Sequence, residues 1–247
     1  MEGMSICIAA ASSGGGLPWA GGLRRPPQSP KARAGTGPTW PEVARVLACL
    51  FEKDVEFQLI RPNNYKGLKR MPSLKGPRFK FRQGGEEGKM TLVDSRKICR
   101  RITEKYVDEG NKDLLGTGTL ERASIERWLQ TEARRFDPPS SALVLHLAFA
   151  PLMELEQDKE EIEQNKQKLN EVLDTYEKRL QETKFLAGDK FTLADLSHLP
   201  NAQFLASNDE CRSLIRSRKM VSGWWDQISL RPSWQRVVEM QQEIRVI

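Results

Sequence analysis

The chain has 247 residues, with 39 Lys and Arg against 33 Asp and Glu, a net charge of +6, 38% hydrophobic and 29% charged side chains. That balance suits one large or two small water-soluble domains, and no apolar run nears the roughly 18 residues that cross a bilayer, so an integral membrane protein is excluded. The four cysteines (Cys7, Cys49, Cys99, Cys211) show no CxxC spacing and only two histidines exist, which argues against a disulfide framework or structural zinc and for a reducing compartment.

The charge is uneven: residues 1–40 carry +3, residues 41–118 carry +6 and residues 119–247 carry −3. Residues 1–38 are rich in Ala, Ser, Gly and Pro, lack an apolar period, and are expected to stay unfolded. Their poverty in acids, with several Arg and Ser, matches a transit peptide in composition; a flexible extension is the plainer reading.

Order is predicted from Pro41. Val43, Val46, Leu47 and Leu50 follow i, i+3, i+4, i+7 spacing, so a helix with one buried face is expected, with Pro41 in its first turn. Val55 to Ile60 alternates as a strand does, 61–88 has no clean period, and Met90 to Val93 reads as a short strand. After Asp94, the residues Ile98, Ile102 and Tyr106 make the face of a second helix. Helix, strand, irregular segment, strand, helix is a small α/β unit.

Leu114 to Thr119, with Gly116 and Gly118, reads as a linker. Beyond it helices are predicted at Leu120–Phe136, at Ser140–Leu155 after Pro138-Pro139, at Glu160–Gln181, at Trp224–Leu230 and at Pro232–Gln242. Thr192 and Asp195 have the spacing of a capping box. The expected domains are a 1–38 extension, an α/β domain over 39–113, a linker at 114–119 and an all-α domain over 120–247.

Four stretches carry a resemblance to the phi class of plant glutathione transferases: VARVLACLFEKDVEFQLI (43–60), TLVDSRKICRRITEKY (91–106), GNKDLLGTGTLERASIERWLQTEARRFDPPSSALV (110–144) and YEKRLQETKFLAGDKFTLADLSHLP (176–200). RPSWQRVVEM (231–240) continues in the same style. The resemblance implies a thioredoxin-like N-terminal domain and an all-helical C-terminal domain. It also implies a homodimer that conjugates the thiol of glutathione, its co-substrate, to small apolar electrophiles; composition and charge add the expectation of a cytoplasmic protein with no metal and no nucleic-acid or membrane partner.

The chemistry needs a donor that favours the thiolate, because a thiol of pKa about 8.5 is only a few per cent ionised at neutral pH. Lowering that value by two units takes roughly 2.7 kcal/mol. The resemblance places Asp94 and Ser95 at the family's Glu-Ser position, with Ser95 donating to the γ-glutamyl carboxylate and Asp94 taking the ammonium. Read alone, an Asp-Ser pair before a helix is an ordinary cap. Lys69 and Arg70 fall where the family carries His-Lys, as cations for the glycyl carboxylate, although a solvated basic loop would look the same. The family's catalytic Ser lies five residues before the Arg of the ARV segment; here that position is Trp40, and Thr39 beside it offers a hydroxyl. No first strand is recognisable in KARAGTGPTW (31–40), and Arg82-Gln83 stand where the family has Val-Pro.

Two other readings compete. One is a non-catalytic relative that binds apolar small molecules with a degraded active site. The other is a nucleic-acid module using the basic 61–82 segment, which lies inside a stretch from Phe57 to Gly85 that holds eight Lys or Arg and no acid. His146 lies in the apolar 140–149 helix, His198 is expected to be a packed structural residue, and Cys49 and Cys99 are expected to be core thiols.

Overall fold

The computed structural model describes residues 6–10, 41–60, 79–83, 94–152 and 155–243. A three-stranded sheet of order β2-β1-β3 comes from β1 (Ile6–Ala10), β2 (Phe57–Ile60) and β3 (Phe79–Gln83). β1 runs antiparallel to β2, pairing Cys7 with Ile60, and parallel to β3, pairing Ile8 with Phe81. Two expectations need correction here. The leader is not without structure throughout, since Ile6–Ala10 is a strand. The irregular 61–88 segment contains β3, because FKFRQ alternates aromatic and polar residues, a period-two pattern that its basic charge obscures. The expected strand at Met90–Val93 and the strandless reading of 31–40 lie outside the described residues.

Helix α1 (Pro41–Glu52) forms as the spacing predicts and buries Val43, Val46, Leu47 and Leu50. It packs on α2 (Ser95–Lys105), whose Ile98, Cys99 and Ile102 are buried, with Tyr106 following at the helix end. Gly110 then turns the chain against the end of α1. Its φ of +50° is a left-handed conformation, a Cβ there would collide with the Glu52 carbonyl, and Asn111 N–H donates to that carbonyl at 2.8 Å.

The largest departure from expectation lies between 119 and 152. Pro138-Pro139 reads as a break between two helices, yet α3 (Thr119–Thr131) continues through a π-helical turn (Glu132–Phe136) into α4 (Asp137–Val144). A second π turn (Leu145–Phe149) leads on to α5 (Ala150–Leu152). A proline lacks an amide donor and clashes with the carbonyl four residues back. The wider π turn relieves both demands just before Pro138.

The long α6 (Lys159–Arg179) is followed by α7 (Leu193–Leu196), α8 (Leu199–Ser207), α9 (Arg212–Arg216), α10 (Lys219–Ser229) and α11 (Pro232–Glu243). The capping box closes on Asp195. Thr192 N–H donates to Oδ2 at 3.1 Å, and Oδ1 accepts from Leu186 N–H at 3.1 Å and from Trp224 Nε1 at 3.0 Å. Burial pushes the Asp195 carboxyl up, while these donors pull it back.

Trp224 packs with Tyr176, Phe136 and His198 in one aromatic cluster. His198 Nδ1 donates to Ala194 O at 2.7 Å and its Nε2 accepts from the Tyr176 hydroxyl at 2.8 Å. Burial pushes the imidazole down to about 3, which fixes it neutral as a packed core residue. Cys49 and Cys99 are likewise buried between α1 and α2. Among the described residues, no helix is long and apolar enough to cross a membrane.

Candidate functional site

The N-terminus of α2 meets α1 and the first π turn. Asp94 is the N-cap: its Oδ1 accepts from Arg96 N–H at 2.9 Å. That is the ordinary role of an aspartate before a helix, and it leaves the exposed carboxylate facing solvent. Ser95 is buried, and its Oγ accepts a hydrogen bond from Arg45 Nη1 at 2.7 Å.

Arg45 sits on the buried face of α1 and is only 1% exposed. A buried guanidinium survives only if its donors are paired. Its Nε donates to Ser197 O at 3.1 Å, and its Nη2 lies 3.6 Å from Glu132 Oε1 and 3.8 Å from Asp137 Oδ1. Arg96 grips the same carboxylates from the other side. Its Nε donates to Glu132 Oε2 at 2.7 Å, its Nη2 to Glu132 Oε1 at 2.8 Å, and the same Nη2 is 3.1 Å from Asp137.

Two guanidiniums, two carboxylates and one hydroxyl thus form a charge-balanced cluster. The π turn makes it possible. Glu132 and Asp137 are five residues apart, which in an α-helix sets them about 140° apart around the axis. The wider turn brings both onto one side, facing α1 and α2. Burial pushes the Glu132 carboxyl up, opposed by Arg45 and Arg96. Against the cost of its own burial, Arg96 is held above its ordinary range by Glu132 and Asp137.

The consequence for Ser95 is directional. Arg45 occupies one lone pair of the hydroxyl oxygen, and among the described residues no acceptor takes the hydroxyl proton. Ser95 therefore has a fixed oxygen and a proton to give, beside the first-turn amides of an 11-residue helix. That combination of N–H groups, positive helix end and a donating hydroxyl suits a carboxylate.

Of the residues singled out from the sequence, the structure brings Asp94 and Ser95 to this point. Thr39, Trp40, Lys69 and Arg70 lie outside the described residues. Arg82 and Gln83, at the family's Val-Pro position, belong to β3. The residues that sequence reading missed are Arg45, Arg96, Glu132 and Asp137. One signal was available: Arg45 interrupts the apolar face Val43, Val46, Leu47, Leu50, and a charge on a buried face needs a buried partner.

Residues 141–232 match the family model of the glutathione S-transferase C-terminal domain. Glutathione S-transferase F10 of Arabidopsis thaliana is 40% identical over 205 residues, covering 81% of this chain and 93% of that protein. Poplar glutathione transferase F1, a crystal structure, is 38% identical with a TM-score of 0.74, covering 96% of this chain and 98% of its own. Glutathione S-transferase I from maize, solved in complex with an atrazine glutathione conjugate, is 25% identical with a TM-score of 0.68, covering 82% of this chain and 94% of its own. These likenesses support the expected architecture, a thioredoxin-like domain plus a helical one. The chain belongs to the phi class of the plant glutathione S-transferases.

Proposed function

We propose that the chain is a glutathione transferase that joins the thiol sulfur of glutathione to small apolar electrophiles, with the thiol proton and the electrophile's leaving group released together. The observation that carries this reading is the Ser95 hydroxyl, held by buried Arg45 at 2.7 Å with its proton unclaimed among the described residues. In this reading Ser95 donates to the γ-glutamyl carboxylate and the exposed Asp94 takes the ammonium. Lys69 and Arg70 hold the glycyl carboxylate, and Thr39 donates to the sulfur to favour the thiolate. The enzyme works as a homodimer in the cytoplasm, with an α/β glutathione-binding domain over 39–113 and a helical domain over 120–247 that shapes the electrophile site. The maize relative solved with a glutathione conjugate supports glutathione and an electrophile as the pair of ligands.

Trp40 favours a second reading. An indole N–H stands at the family's Ser position, which suits a non-catalytic protein that binds glutathione or apolar molecules without turnover. Purified protein mixed with glutathione and a chromogenic aryl halide separates the two. Turnover above the uncatalysed rate, lost in Thr39→Ala, is the result expected of the enzyme. Retention on immobilised glutathione without turnover sinks it in favour of the second reading.

A further inference from the structure

A cavity of about 250 Å³ opens where the end of α1, the C-terminal half of α2, the 112–116 segment and the start of α3 meet. One wall comes from the half of α2 remote from Ser95, roughly 7–14 Å along that helix at 1.5 Å per residue. The volume falls just short of the roughly 300–1,000 Å³ of sites for drug-sized ligands, so it suits a small molecule.

The cavity is lined by more cation than anion. Lys53 is fully buried, and its ammonium donates to Asn111 O at 3.0 Å and Val107 O at 3.4 Å. Among the described residues its third proton has no partner and no carboxylate lies within ion-pair distance. Burial pushes the Lys53 ammonium below its usual value; Glu109 and Asp108, which do not line the cavity, favour its charge, while Lys112, which does, opposes it. Arg122 is steered by one contact, Nε to Gly116 O at 3.2 Å, and its terminal amino groups have no partner among the described residues. On the opposite wall Arg100 is satisfied by Glu126 at 2.7 Å, leaving Glu104 as the one unneutralised acid of the lining. Val107 and Leu115 add a small apolar surface.

Like charges gathered round a hollow repel one another unless an anion joins them. An exposed lysine and a guanidinium with a free fork can hold phosphoryl oxygens directly, and a buried ammonium behind them adds positive potential. We propose that this cavity binds a small phosphoryl dianion, free phosphate or a short monoester, with the phosphoryl group held by the exposed Lys112 and Arg122 over the buried charge of Lys53, and any carbon portion against Val107 and Leu115. The site is independent of the glutathione reading and sits away from Ser95.

Calorimetry on the full chain, first without glutathione and then with glutathione added, tests it, with inorganic phosphate, glycerol 3-phosphate and glycerol as titrants. One phosphoryl ligand per chain with a dissociation constant of about millimolar or below is expected, with no heat from neutral glycerol. The Lys112→Gln/Arg122→Gln double variant, both positions exposed, is expected to fold normally and bind about tenfold more weakly. Tighter binding of glycerol 3-phosphate than of phosphate identifies a monoester site, and equal binding a phosphate site. The proposal is overturned if neither anion binds, if the double variant binds them as well as the parent, or if added glutathione displaces them.

Discussion

Arg45 and Ser95 are fifty residues apart in sequence, and the guanidinium of one donates to the hydroxyl of the other at 2.7 Å inside the protein. The bond ties α1 to the first turn of α2 and fixes which way the Ser95 proton can be given. Arg45 is in turn fixed by Ser197 O and by the carboxylates of the first π turn. The geometry of the candidate site therefore depends on residues from both the α/β and the helical parts of the chain.

Glu132 is the central counter-ion of that cluster. Glu132→Gln keeps the shape and removes the charge, leaving Arg45 buried with only the more distant Asp137 to balance it. Breaking a buried pair by removing one partner costs about 3–5 kcal/mol. Urea unfolding of the variant is expected to show a loss in that range. Asp137→Asn is expected to lose less, because Asp137 is 28% exposed and water screens it. Equal losses for the two variants contradict Glu132 as the centre.

Acid should find His198. The folded imidazole holds no proton until about pH 3, whereas the unfolded one takes it up near pH 6.5. Its contribution is therefore fully present above pH 6.5 and is lost as pH falls toward 3, by up to roughly 4–5 kcal/mol. Glu132 and Asp195, both raised by burial, work in the opposite sense, since their folded forms bind protons more readily than their unfolded ones. The clean readout is a difference. Unfolding free energies from pH 7.5 to 4.5 should fall more steeply for the parent than for His198→Asn, and parallel curves would count against a neutral buried imidazole.

The end of α1 is locked to the α10–α11 corner. Glu52 accepts from Arg231 Nε at 2.7 Å and Nη2 at 2.8 Å, from Asn111 Nδ2 at 3.0 Å and from the Ser233 hydroxyl. Burial raises the Glu52 carboxyl, but these donors outweigh it and hold the group below its usual value. The lock is thus strongest above the unfolded pKa near 4.5 and weakens as pH falls below it. Arg231→Met is expected to cost about 3–5 kcal/mol at neutral pH. Adding Glu52→Gln should recover part of that loss, because the stranded charge is gone; strict additivity in the double-mutant cycle would rule the lock out.

Much of the architecture is legible because it rests on period. Val43, Val46, Leu47 and Leu50 announce α1, and Thr192 with Asp195 announces the start of α7. What period cannot show is a device that breaks a rule locally. Pro138-Pro139 argues for a helix break, and only the π turn before it lets Thr119 to Leu152 run on. β3 is hidden by its charge: in FKFRQ the alternation is real but the lysine and arginine make it look like a solvated loop.

The site divides in the same way. Asp94 and Ser95 are found from a local motif. Their supports are not, because Arg96 and Lys97 look alike on paper and only the fold shows that Arg96 reaches Glu132, thirty-six residues on, while Lys97 stays exposed.

The affinity of Ser95→Ala for glutathione, measured by calorimetry alongside its unfolding free energy, tests the central claim most directly. A hydroxyl donating to a carboxylate contributes about 1.5–3 kcal/mol, so affinity should fall roughly 10–100-fold while the variant stays folded. An unchanged affinity in Ser95→Ala, or no binding by the parent protein, would contradict the assignment of the Arg45-held hydroxyl to glutathione.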